Sequence, residues 1–88
     1  MSERYCLSED VVFEVVGTEA VLIDMMDDSV YSLNTSGTFL MLNISGGLNR
    51  GELVLSFADR FRLEHARAAT DVGHFLDAMI NRGILRSV

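Results

Sequence analysis

Proline is absent from the 88 residues, so every chain reversal has to come from Gly, Asn, Asp or Ser. There is one cysteine, Cys6, which excludes an internal disulfide. Close to the N-terminus it reads as an ordinary thiol. No apolar run approaches the ~20 residues that a membrane span needs. The opening Met1-Ser2-Glu3-Arg4 lacks the cationic and apolar regions of a signal peptide. A reducing cytoplasm is therefore the expected setting. Basic residues are scarce, 7 against 13 acidic ones, for a formal charge of −6. Such a surface repels phosphate backbones and anionic lipid. It argues against nucleic-acid and membrane partners and is compatible with peptides that carry Lys or Arg.

Catalytic and metal-binding constellations are missing too. His65 and His74 are nine residues apart on one predicted helix, about 180° from a shared face, and read as two solvated histidines. Neither a CxxC nor an HExxH motif occurs. Gly46-Gly47 is too short for a phosphate loop and has no Lys-Ser/Thr after it. Asp27-Asp28 is followed by no EF-hand spacing, and a hairpin turn accounts for it better. Asp71 and Asp77 read, at this level, as exposed charges. No enzyme, metal or cofactor is expected.

What the sequence does contain is the material of one small domain: 49% hydrophobic and 23% charged residues, ordinary for a globular chain. Residues 1–10 are polar and read as a flexible N-terminal segment, with the domain proper at 11–88. Val11–Val16 is rich in β-branched residues and reads as a strand. Gly17-Thr18 suits a type II′ turn, and Glu19–Asp24 forms the second strand. Met25–Asp28 is a looser turn whose two thioethers could serve a binding surface or tuck under the hairpin. Ser29–Leu33 is the third strand, with Tyr31 and Leu33 on one face and Val30 and Ser32 on the other.

Helical periodicity follows. Residues 35–44 are apolar enough for a mostly buried helix, ended by Ser45-Gly46-Gly47. Asn49 and Glu52 form a capping box for a second helix, flanked by Leu48 and Leu53 as a staple, and Arg60-Phe61-Arg62 closes it. A third helix runs from about Glu64 to Arg82, with Val72, Phe75, Leu76, Met79 and Ile80 on one stripe. Gly83 is placed for a left-handed C′ with Ile84 touching Met79. Gly73, in mid-helix, costs about 1 kcal/mol relative to Ala and marks either a close backbone approach or nothing. The order β-β-β-α-α-α gives an α+β domain: an antiparallel meander with helices on one face. The outer edge of its third strand has no further strand to pair with.

Val21-Leu22-Ile23-Asp24, Val30-Tyr31-Ser32-Leu33-Asn34, Ser36-Gly37, Gly46-Gly47, Asp71-Val72 with Phe75-Leu76, and Gly83-Ile84-Leu85, in this order and spacing, resemble the PqqD-like family. This family comprises precursor-peptide recognition elements of ribosomal peptide natural-product pathways, and the resemblance covers about residues 11–85. It implies a winged-helix-like fold of three strands and three helices. A leader peptide would add as a strand beside the third strand, in a groove walled by the third helix, and be escorted to a separate processing enzyme. Two departures matter: Met41 stands where the family commonly has an aromatic residue, and Asp28-Ser29-Val30-Tyr31 replaces the Tyr-Pro-Glu-like stretch of the quinone-cofactor branch. The resemblance therefore favours the free-standing partner of a lasso-peptide leader peptidase over pyrroloquinoline quinone biosynthesis.

An exposed strand edge is a template for strand addition. The peptide-binding residues expected are Ser29, Val30, Tyr31, Ser32 and Leu33 for the ladder, and Asp71, Val72, Phe75, Leu76 and Met79 for the groove. Core use is the competing fate of Leu33 and Leu76. Two other classes compete: a winged-helix nucleic-acid binder, which should carry a basic recognition helix, and a structural module that self-pairs into a homodimer through the same edge.

Overall fold

Two adjacent hairpins set the frame. In the computed structural model, which describes residues 3–88, strands β2 (Val11–Val16), β3 (Glu19–Asp24) and β4 (Ser29–Leu33) form an antiparallel meander in the order β2-β3-β4. Gly17 has φ +66° and Thr18 a negative φ, the signature of the expected II′ turn. The second turn is held by two aspartates: Asp24 Oδ1 accepts from the Met26 N–H and Asp27 Oδ1 from the Ser29 N–H, each at 3.0 Å. Val11, Phe13, Ala20, Leu22, Tyr31 and Leu33 share the face turned to the helices. Leu22, at its centre, is 0% exposed, worth roughly 1.5–3 kcal/mol of burial. Met25 and Met26 stand exposed at the tip of the second hairpin.

Helices α1 (Thr35–Ser45), α2 (Arg50–Phe61) and α3 (His65–Asn81) follow. Asn34 caps α1 by accepting from the Gly37 N–H at 2.9 Å. The capping box of α2 is present in both directions between Asn49 and Glu52. At the end of α3, Ile84 N–H bonds to Met79 O at 2.9 Å and Gly83 N–H to Ile80 O at 3.0 Å, with Gly83 at φ +73°, a Schellman ending. Leu40, Met41, Ile44, Leu53, Phe57, Val72, Leu76 and Met79 meet the sheet in one core.

Two expectations need correction. The segment 1–10, expected to be a flexible stretch without secondary structure, holds a strand: β1 (Tyr5–Leu7) pairs antiparallel with β5 (Leu85–Ser87) in a second, two-stranded sheet. Tyr5 is buried, and the Val88 N–H reaches Arg4 O at 2.8 Å. The partner strand lies at the other end of the chain, so no local pattern announces the pairing. Met1 and Ser2 of that segment lie outside the described residues. Ile80, read as part of the buried stripe of α3, is exposed; at about 100° per residue it sits on the margin of the stripe opposite Phe75.

Gly73 is explained by neither earlier alternative. A Cβ there would lie 3.1 Å from Arg50 Nη2, so the missing side chain makes room for a guanidinium. Arg50 also donates to the Tyr5 hydroxyl at 3.4 Å, which raises its already high pKa. Among the described residues no helix is long and apolar enough to cross a membrane.

Candidate functional site

In a two-residue hairpin the closing pair exchanges both hydrogen bonds, and bonded and non-bonded pairs then alternate. Val16 and Glu19 close the first hairpin, so Glu19, Val21 and Ile23 bond towards β2, while Ala20, Leu22 and Asp24 bond towards β4. Their partners on β4 are Leu33, Tyr31 and Ser29. The N–H and C=O groups of Val30 and Ser32 therefore point away from the sheet, and β4 has no neighbour on that side among the described residues. The free edge carries a ladder without a mate.

Beside this edge lies a groove of about 380 Å³ between β4, the start of α1 and α3, lined by Ser32, Leu33, Asn34, Ser36, Gly37, Leu40, Phe57, Asp71, Phe75 and Met79. A second depression of about 500 Å³, bounded by Val16, Glu19, Ala20 and Val21, shares Ser32, Leu33 and Asn34 with it. Helix α3 runs antiparallel to β4. Asp71 stands at the Leu33–Asn34 end, Phe75 over Gly37, and Arg82, just past the helix, places its guanidinium 5.2 Å from the Tyr31 ring centroid. The floor is apolar and the rim polar, the usual make-up of a ligand-binding cleft.

Of the ten expected residues, the groove takes in Ser32, Leu33, Asp71, Phe75 and Met79. Ser29, Val30 and Tyr31 continue the strand beyond it. Val72 and Leu76 are 0% exposed and are corrected to core: they occupy the centre of the α3 stripe, and only its margin opens to the groove. The sequence reading missed Asn34, Ser36, Gly37, Leu40 and Phe57. Asn34 and Gly37 had a usable signal, since a helix N-terminus placed directly after an edge strand must close one end of whatever lies beside it.

Charge is unevenly spread. From Tyr5 to Asn49 there is no Lys or Arg but seven carboxylates, Glu9, Asp10, Glu14, Glu19, Asp24, Asp27 and Asp28. Hydrogen bonds donated by Ser29, first its hydroxyl and then its backbone N–H, hold the Asp27 carboxyl below its ordinary pKa. On the groove wall Asp71 is paired with Arg67 at 3.0 Å. No group of three His, Cys, Asp or Glu is arranged to hold a metal among the described residues.

These features define a small α+β domain built around an open sheet edge and an adjoining helix-walled groove. Residues 19–85 match the family model described as Coenzyme PQQ synthesis protein D, and the chain belongs to this PqqD family. No curated protein matches it in sequence. Two solved structures share the fold. One is TbiB1 in complex with the TbiA(beta) leader peptide, 21% identical over 91% of this chain and 93% of that one, with a TM-score of 0.87. The other is lasso peptide synthetase B1 complexed with the leader peptide, 13% identical over 94% and 98%, also with a TM-score of 0.87.

Proposed function

We propose that this chain is a non-catalytic recognition element that captures the leader segment of a ribosomally made precursor peptide by strand addition to β4. It delivers the precursor to a separate maturation enzyme in the cytoplasm, a lasso-peptide leader peptidase in preference to the enzymes of quinone-cofactor synthesis. The observation that carries this reading is the unpaired edge of β4, whose Ser32 and Leu33 line a groove with an apolar floor. Membership of the PqqD family supports it, as do the leader peptides held by the two proteins of the same fold.

The energetics require both parts of the site. Micromolar to nanomolar affinity corresponds to roughly 8–12 kcal/mol. A few strand hydrogen bonds at ~1 kcal/mol each fall short of that, so one or two apolar side chains of the guest must be buried. The space between Leu33, Leu40, Phe57, Phe75 and Met79 suits such an anchor. Ser29 to Leu33 supply the ladder, Asp71, Phe75 and Met79 the wall, and Val72 and Leu76 support the wall from beneath. The recognition domain takes in β1 and β5 as well as residues 11–85.

Isotope-labelled protein titrated with leaders of precursors encoded nearby tests the reading. Shifts should cluster at residues 29–33 and along 68–79. Shifts confined to α2 would refute it.

A further inference from the structure

We infer that Arg82 is a specificity-determining residue of the β4–α3 groove and selects a guest carboxylate at one fixed position, two residues from the apolar anchor. The inference rests on the peptide-binding reading above and sharpens it. Arg82 extends the α3 wall just beyond Met79, and Tyr31 extends the β4 side just beyond Ser32, so the pair closes one end of the groove. The guanidinium lies over the Tyr31 ring, 5.2 Å from its centroid, and has no carboxylate partner among the described residues. The cation at the other end, Arg67, is already committed to Asp71.

A guest strand added to β4 turns alternate side chains to the α3 side. The one beside Leu33 falls over the apolar pocket. The next on the same face, two residues along, falls beside Tyr31 and beneath Arg82. A planar guanidinium held against a ring keeps its fork in place and offers paired donors to a carboxylate. The hairpin around it is anionic and favours a guest that is neutral or basic elsewhere. Arg82 thus makes a single positional exception, and that exception sets the register of the guest: a slip by one residue turns the carboxylate to the wrong face.

The test pans a phage-displayed library of random short peptides on the full chain and sorts the binders by backbone resonance shifts at residues 29–33. Groove-binding peptides should carry an apolar residue and an Asp or Glu two positions apart. Affinity for such a peptide should fall about tenfold with Arg82→Gln, and Arg82→Lys should keep part of it. The same peptide with its carboxylate changed to an amide should be insensitive to Arg82→Gln, and Arg82→Glu should prefer Lys or Arg at that position. Unchanged denaturation midpoints would show that the variants fold. Groove binders without an acidic residue at this spacing, or an affinity unmoved by Arg82→Gln, overturn the inference and leave the groove reading standing. Binders that never shift residues 29–33 overturn both.

Discussion

Phe75 lies directly over Gly37: a Cβ at position 37 would stand 3.3 Å from Phe75 Cε1. The same Cβ would be 3.3 Å from Asn34 Oδ1 and 3.4 Å from Leu33 Cδ2. Asn34 Oδ1 is fixed by the Gly37 N–H and the Ser36 hydroxyl and cannot yield, whereas the far end of the Phe75 ring can. In Gly37→Ala, the gain in helix propensity of up to ~1 kcal/mol is set against this crowding. Stability should stay within about 1 kcal/mol of the parent, while the ring tips into the groove and guest affinity falls severalfold. Urea denaturation and calorimetry with a bound leader separate the two effects. An unchanged affinity would place the anchor elsewhere.

Adjacent residues of β4 should respond oppositely to proline. The Val30 N–H points to the open side, where proline is tolerated in an edge strand. Val30→Pro should leave the denaturation midpoint nearly unchanged and weaken guest binding by removing a ladder donor. The Tyr31 N–H bonds to Leu22 of β3, so Tyr31→Pro should cost about 1–3 kcal/mol for the orphaned carbonyl alone. If Val30→Pro proves the more destabilising of the two, the alternation along β4 is wrong.

Much of this site was legible in the sequence because its signals are local. Gly17-Thr18 fixes the first hairpin, the register puts Tyr31 and Leu33 on the inner face, and Asn49 with Glu52 starts α2 one residue before Arg50. A count of strands then leaves the third one at an edge. What the sequence concealed depends on residues far apart in the chain. Tyr5 meets Ser87 although neither belongs to a strongly patterned segment. Gly73 gives way to a side chain from another helix. Periodicity names the apolar stripe of α3 but cannot separate its sealed centre, Val72 and Leu76, from Phe75 on the margin.

The hairpin that leads into β4 should loosen in acid. The Ser29 hydrogen bonds hold Asp27 below its ordinary pKa. A lowered folded-state value contributes stability above the unfolded-state pKa, and that contribution is lost as pH falls through the folded one. The Ser29 amide should therefore titrate in NMR with a midpoint below that of an aspartate in an unstructured peptide. Asp27→Asn keeps an acceptor oxygen and should abolish the titration while preserving the turn. A Ser29 amide that titrates at the unstructured value would mean that the contact does not form in solution.

The N-terminal strand should prove structural. Tyr5 is 5% exposed, its hydroxyl accepts from Arg50 Nη1 at 3.4 Å, and its strand lies against Leu85, itself 2% exposed. Around it the Arg50 N–H bonds to Glu3 O at 2.8 Å and the Ser8 N–H to Ile84 O at 2.9 Å, so one short segment ties the start of α2 to the chain beyond α3. Tyr5→Ala should cost about 3 kcal/mol or more, a large share of the roughly 5–15 kcal/mol that holds a domain together. Tyr5→Phe keeps the ring and gives up only long hydrogen bonds, so it should cost under about 1 kcal/mol. Deleting residues 1–7 should lower the urea midpoint at least as far as Tyr5→Ala, because it also bares the β5 edge. The groove lies between β4 and α3, away from this sheet, so Tyr5→Phe should bind a guest like the parent. A midpoint that does not move on deletion would mean that β1 frays in solution and that the meander and three helices stand without it.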